Sequence, residues 1–220
     1  MEAHDDGVAV PGAGDAVPVP RAATDDDDQV VGALHAAQIP EGFLAVLGPG
    51  FLARLYRRIN RTRGSFLLVV DAEGRVAGFI AGSADLRALY AGFLLHDSPG
   101  AALGAARRLV VGWRRALETL RHGAGGATGT GRGTELLAVA VDPAWQGRGL
   151  GARLVEAFLD RVRSEGGRAA YVVVGADNTR AIGLYRRAGF TEVGDFELHA
   201  GTTSLLLQWD DPDPGSGDPA

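Results

Sequence analysis

The feature that most constrains this chain is the run Val141-Asp142-Pro143-Ala144-Trp145-Gln146-Gly147-Arg148-Gly149-Leu150-Gly151-Ala152. In it a β-rich segment meets a proline, and three alternating glycines lead straight into a helix-forming sequence. Pro143 has no N–H for a sheet ladder, so the strand ends there. Gly147, Gly149 and Gly151 permit a tight turn with exposed backbone. The first N–H groups of a helix entered this way lack intrahelical acceptors, and the helix dipole adds positive potential. The turn is therefore a site for a phosphate or diphosphate. Two other phosphate loops do not fit: a Walker loop needs Gly-Lys-Ser/Thr, which is missing, and a Gly-x-Gly-x-x-Gly fingerprint begun at Gly147 finds Ala152 in its last place. What remains is Gln-x-x-Gly-x-Gly.

The rest of the chain organises around this segment. From Glu135 onward the order is strand, helix, strand, helix, strand, strand: 135–141, 150–165, 170–174, 179–188, about 191–199 and 203–209. A strand-helix-strand unit implies a parallel pair with a right-handed crossover, and the two closing strands imply an antiparallel ending. The fold class is a mixed α/β sheet. Upstream, Val17-Pro18-Val19-Pro20 reads as a short edge strand, where missing N–H donors are harmless. A helix over about 25–37 follows, opened by Asp25 to Asp28, with Val30, Val31 and Leu34 on its apolar face; a solvated acidic linker is the alternative. Pro49 starts a second helix with Phe51, Leu52, Leu55, Tyr56 and Ile59 in a stripe and Arg54, Arg57, Arg58 and Arg61 on a solvated face. A hairpin at 65–81 turns at Asp71-Ala72-Glu73-Gly74. Residues 84–133 carry an amphipathic helix over about 101–121 and then a glycine-rich connector. The extremities, 1–14 and 210–220, have too few apolar residues to offset the entropy of ordering and read as tails, which leaves one domain over 15–209.

Composition narrows the function. The chain has 220 residues and no Cys, which removes disulfides, thiolate metal sites and a cysteinyl intermediate. The net charge of -5 sits in the tails, which hold seven of the 27 acidic residues, and the remainder is too nearly balanced for a nucleic-acid binder. The start lacks a basic and apolar leader, and no apolar run reaches the roughly 18–20 residues of a membrane span. A cytoplasmic protein without membrane or nucleic-acid partners is expected. His4, His35, His96, His122 and His199 show no paired metal-ligand spacing and receive no role, so no metal is expected.

The Gln146-to-Gly151 loop, entered from Ala138-Val139-Ala140-Val141-Asp142-Pro143, resembles the pyrophosphate loop of the GNAT superfamily of acyl-CoA-dependent N-acetyltransferases. The stretch Asn178-Thr179-Arg180-Ala181-Ile182-Gly183-Leu184-Tyr185-Arg186-Arg187-Ala188-Gly189-Phe190 resembles that family's closing motif, and the hairpin occupies its second and third strands. The resemblance covers about 16–83 and 134–209. It implies a mostly antiparallel sheet with a central splayed parallel pair flanked by helices, and acetyl-CoA as cosubstrate. By position, it implies that the backbone of Val139, Ala140 and Val141 holds the pantetheine arm, and that Gly147, Arg148, Gly149, Leu150, Gly151 and Ala152 hold the pyrophosphate. Gln146 and Arg148 could also touch phosphate by side chain, although Arg148 equally suits a solvent-facing position.

Further roles follow from the same resemblance. Asn178 precedes a helix and suits a cap, and in the family it also contacts the cofactor. Tyr185 is implied as the general acid for the departing CoA thiolate, against the plainer account of a packed Tyr with a wet hydroxyl. Some members place a basic Glu five residues before the Asn, where this chain has Val173; others place it eleven residues before the Gln, where this chain has Glu135. Glu135 or a bound water is then the base, and a solvent-facing strand end is the alternative for Glu135. The expected reaction is direct attack of an amine on the thioester in a ternary complex. A small-molecule amine is the first acceptor class and a peptide or protein amine the second. A non-catalytic acyl-CoA sensor is the rival function. Oligomeric state is not legible.

Overall fold

The computed structural model describes residues 18–40, 44, 47–96, 133–199 and 202–212. The elements run β1 (Pro20–Ala22), a 3-10 turn (Asp25–Asp27), α1 (Asp28–Gln38), α2 (Pro49–Arg61), β2 (Ser65–Ala72), β3 (Arg75–Ser83), α3 (Leu86–His96) and β4 (Thr134–Val141). They continue with a 3-10 turn (Pro143–Trp145), α4 (Leu150–Ser164), β5 (Ala169–Gly175), α5 (Thr179–Arg187), β6 (Thr191–His199) and β7 (Thr202–Asp210). The seven strands form one sheet in the order β1-β2-β3-β4-β5-β7-β6. Every pairing is antiparallel except β4 with β5, as the strand-helix-strand order predicts. The helix predicted over 101–121, the glycine connector after it and the N-terminal tail lie outside the described residues.

Alternation along the strands divides the core between the two faces. Phe66, Leu68 and Val70 of β2 join Leu154, Val155, Phe158 and Leu159 of α4 on one side. Leu67 and Val69 join Val31 of α1 and Leu52, Leu55 and Tyr56 of α2 on the other. The sheet is thus covered by helices on both faces, and the crossover α4 lies on the face opposite α1 and α2.

Several local expectations change. The first strand lies at Pro20–Ala22, not 17–20: Val19 is exposed, and the ladder against Val70, Val69 and Leu68 is made from Pro20 onward. Two prolines leave too few N–H groups upstream to extend it. The acidic opening of α1 is no linker. Asp27 accepts from the Thr24 amide at 2.7 Å and from Arg21 at 2.8 and 3.0 Å, closing a capping box. Val30 is exposed while Asp28 and His35 are buried, so the inward face of α1 is more polar than its apolar residues suggest. The arginine face of α2 is likewise not simply solvated: Arg57 donates to buried Asp28 at 2.8 Å and Arg61 pairs with Asp25. At the other end β7 includes Asp210, and the Asp211 carboxylate, 7% exposed, pairs with Arg163 at 3.2 Å. The predicted C-terminal tail therefore begins later than 210.

Candidate active site

The β4–β5 register contains two pairs, Thr134 with Ala170 and Glu135 with Tyr171. Beyond them the strands diverge, and the β4 edge from Leu136 to Val141 has no β5 partner. That unpaired edge is the physical reason the sheet opens at its centre: backbone groups that a ladder would consume face a gap instead. β4 ends at Val141, and the next residue, Asp142, caps the 3-10 turn that carries the chain into the glycine loop, its carboxylate accepting from the Ala144 amide at 2.9 Å.

The loop adopts the conformation its glycines allow. Gly147 and Gly149 have φ of 76° and 81°, left-handed values that a side-chain-bearing residue adopts only with strain. The first hydrogen bond of α4 is from the Arg153 amide to the Gly149 carbonyl at 3.2 Å. The amides of Leu150, Gly151 and Ala152 therefore stand in front of the helix without intrahelical acceptors. A cavity of about 500 Å³ lies before them. Its walls are Val139, Ala140 and Val141 from β4, the loop and first turn of α4 through Gly147, Gly149, Leu150, Gly151 and Ala152, and Asn178, Ala181 and Leu184 around α5. A phosphate ester chain placed there would meet helix-end amides at one end and the open β4 edge at the other.

Side chains predicted for this site divide into three groups. Gln146 lines the cavity, but its amide is engaged: Nε2 donates to the Val141 carbonyl at 2.9 Å and to Gln38 Oε1 at 3.2 Å, and Oε1 accepts from Arg180 at 2.6 Å. It ties the ends of α1, β4 and α5 together around the opening. Asn178 both lines the cavity and caps α5, its Oδ1 accepting from the Ala181 amide at 3.0 Å. Arg148 is exposed, does not line the cavity, and stacks on Trp145 with its guanidinium 4.5 Å from the ring centre. Gln38, Trp145, Arg180 and Arg187 line the cavity without having been singled out. Arg180 and Arg187 stand seven residues apart on α5, a spacing that puts both on one face and could have revealed them. Gln38 had no local signal.

Tyr185 and Glu135 are both buried, at 4% and 5% exposure. Tyr185 packs against Phe190 with ring centres 5.7 Å apart and does not itself line the cavity, although its neighbour Leu184 does. Burial raises its phenol, so the hydroxyl keeps its proton throughout the neutral range. Glu135 is not the solvent-facing strand end that was the alternative. Burial pushes its carboxyl up to about 7, a hydrogen bond from Tyr171 works in the opposite direction, and its Oε2 has no partner. Val173 occupies the other position for a base and offers no ionisable group. Among the described residues no cluster of three or more His, Asp or Glu side chains could hold a metal, and no helix is long and apolar enough to cross a membrane.

Comparison with known proteins agrees with this geometry. The family model described as "Acetyltransferase (GNAT) family" matches residues 46–190. The chain belongs to the GNAT acetyltransferase family. The chain is 34% identical over 163 residues to mycothiol acetyltransferase from Cellulomonas flavigena, covering 70% of this chain and 42% of that protein. It is 39% identical over 83 residues to N-alpha-acetyltransferase RimI from Mycobacterium tuberculosis, covering 36% and 51%. The chain thus aligns with about half the length, or less, of these curated relatives. Among solved structures, yncA from Salmonella typhimurium with its cofactor acetyl-CoA superposes with a TM-score of 0.61 at 16% identity, covering 92% of this chain and 99% of that one. Ribosomal-protein-S18-alanine N-acetyltransferase from Escherichia coli gives 0.58 at 15% identity, covering 93% and 100%. At those identities the likeness is one of fold. The overall fold of this GNAT chain is the one those structures share.

Proposed function

We propose that the protein transfers an acetyl group from acetyl-CoA to a primary amine by direct attack within a ternary complex. The observation that carries this reading is the continuity of the cavity, in which unbonded amides at the mouth of α4 lead directly to the unpaired edge of β4. The amides of Gly147 to Ala152 hold the diphosphate, and the backbone of Val139 to Val141 pairs with the amides of the pantetheine arm. The thioester is then delivered into the splay. Gln146 acts by fixing the loop between α1 and α5 rather than by touching phosphate.

The chemistry requires two proton transfers. An acceptor ammonium has to lose a proton before nitrogen attacks the thioester carbon, and the C–S bond then breaks to leave a thiolate that needs one. Glu135 receives the first as a carboxylate, and a carboxyl pushed up to about 7 is well matched to that task near neutral pH. Tyr185 gives the second. Its buried phenol retains a proton to give, while the same burial makes tyrosinate costly, so transfer is favourable only to a nearby, equally desolvated thiolate. Tyr185 belongs to the core on the α4 face and Glu135 projects from the opposite face; neither lines the cavity, so the thioester has to pass between them beyond the last β4–β5 pair. With no cysteine in the chain, no thiol is available to form an acyl-enzyme, which favours direct transfer.

The names of the relatives supply two acceptors to test, mycothiol and an alpha-amine, which represent the small-molecule and the peptide or protein class. The test is CoA release from acetyl-CoA with a panel containing both classes, on the native chain and on Tyr185→Phe and Glu135→Gln. Turnover by the native chain, with kcat lowered at least about 10²-fold in both variants, is expected. Saturable binding of acetyl-CoA with no CoA released for any amine would replace the enzyme with a sensor.

A further inference from the structure

The base assigned above stands beside a second group that the reaction has not yet used. Glu135 and Tyr171 are directly opposed in the β4–β5 register, the last pair before the strands part. In a parallel pair, opposed residues project from the same face of the sheet. Leu136 and Ala170 belong to the core on the α4 side, which sends Glu135 and Tyr171 to the side of α1, α2 and α3. Glu135 is 5% exposed, its Oε2 has no hydrogen-bond partner, and the phenol of its register partner Tyr171 is the neighbouring donor that holds the carboxyl down against the effect of burial. A phenol can only donate to a carboxylate, so one end of Glu135 is anchored while the other keeps an acceptor available.

We propose that Tyr171 is a positioning residue for Glu135: its hydroxyl fixes the carboxyl at the mouth of the splay with one oxygen left for the acceptor ammonium. This rests on the reading of Glu135 as the base. Ser83, its register partner on β3, is committed to the Ser65 hydroxyl at 2.8 Å and the Asp85 amide at 3.2 Å. Tyr90 on α3 feels the charges of both Glu135 and Tyr171, and its own phenol is raised by burial and by them. Among the described residues no cation acts on Glu135, so the Tyr171 hydroxyl is the one interaction opposing the cost of burying its charge.

Carboxyl-labelled glutamate, followed by carbon NMR across pH 4 to 10 in the intact chain, reads this directly, with Glu135 assigned by the loss of its resonance in Glu135→Gln. The expected result is an upward displacement of the Glu135 midpoint by about one pH unit in Tyr171→Phe, in a chain whose thermal transition is otherwise close to native. An unchanged midpoint in folded Tyr171→Phe overturns the proposal whatever the activity measurements show. In the kinetic arm, with acetyl-CoA and the best acceptor of the panel, the acidic limb of kcat/KM moves upward by the same amount in Tyr171→Phe. A Glu135→Gln variant with full turnover would instead remove the base assignment while leaving the titration result intact, so the two failures are separable.

Discussion

His35 and Glu135 have opposite pH signatures, and together they make a residue-scale test. His35 is 4% exposed, stacks on Phe79 and shares a hydrogen bond of 2.6 Å with the Tyr56 hydroxyl; burial pushes its imidazole down to about 4. Between that value and the ordinary 6.5 the unfolded chain binds more protons at this site than the folded one, so stability falls as pH falls through the window. Glu135 works the other way. Its folded value of about 7 lies above the ordinary 4.5, the folded chain binds more protons between them, and stability falls as pH rises through that window. The two slopes largely cancel near pH 5 to 6. In Glu135→Gln only the histidine slope remains, so the loss of stability between pH 6.5 and 4.5 should exceed the native loss by up to about 3 kcal/mol in urea unfolding. Parallel stability curves for the two proteins would contradict the raised Glu135 carboxyl. None of this was legible in the sequence, where Glu135 was a position matched by resemblance and His35 a histidine without a metal partner: burial is a property of neighbours.

At the scale of elements, α1 and α2 cross in close main-chain contact at Gly32. A Cβ on Gly32 would lie 2.7 Å from the Ala53 amide nitrogen and 2.8 Å from the Pro49 carbonyl oxygen, both main-chain atoms that cannot rotate aside. Gly32→Ala, which would normally favour a helix, is therefore expected to destabilise the chain by about 1–3 kcal/mol through overpacking, read as a lowered thermal midpoint. A neutral or higher midpoint would show that the crossing can relax. Most helices and strands were readable because periodicity and turn chemistry are local, although α3 was not among those marked from the sequence. The first strand lies later than local pattern suggests, Val30 of α1 faces outward, and the exposed arginine face of α2 carries ion pairs the sequence did not reveal, because Asp27, Asp28 and Arg57 find partners across element boundaries. Tyr171 escaped notice for a related reason, since only sheet pairing brings it beside Glu135.

Taken whole, the molecule is a sheet whose central pairing is interrupted, and cofactor binding should act on the entire fold. At about 100 times Kd a ligand that binds only the folded chain adds about 2.7 kcal/mol. For a chain of this size that corresponds to a rise of about 5–10 °C in thermal midpoint. Acetyl-CoA is expected to give such a shift, and acetate none. Gly149→Asp places a carboxylate and a side chain at a left-handed glycine in front of the α4 amides, and should abolish the shift. A full shift in that variant would remove the diphosphate from the loop.

The sequence by itself determined the class of fold and the loop. A strand ended by proline, glycines at alternate positions and a helix start act through backbone conformation, which needs no distant partner to be read. Which side chains face the opening was decided only in three dimensions. Gln146 turned out to be a brace between α1, β4 and α5, Arg148 a stacked surface cation, and Glu135 a buried acid beside a tyrosine. Each of those outcomes depends on segments far apart in the chain, whose approach is set by sheet order and helix packing rather than by local pattern.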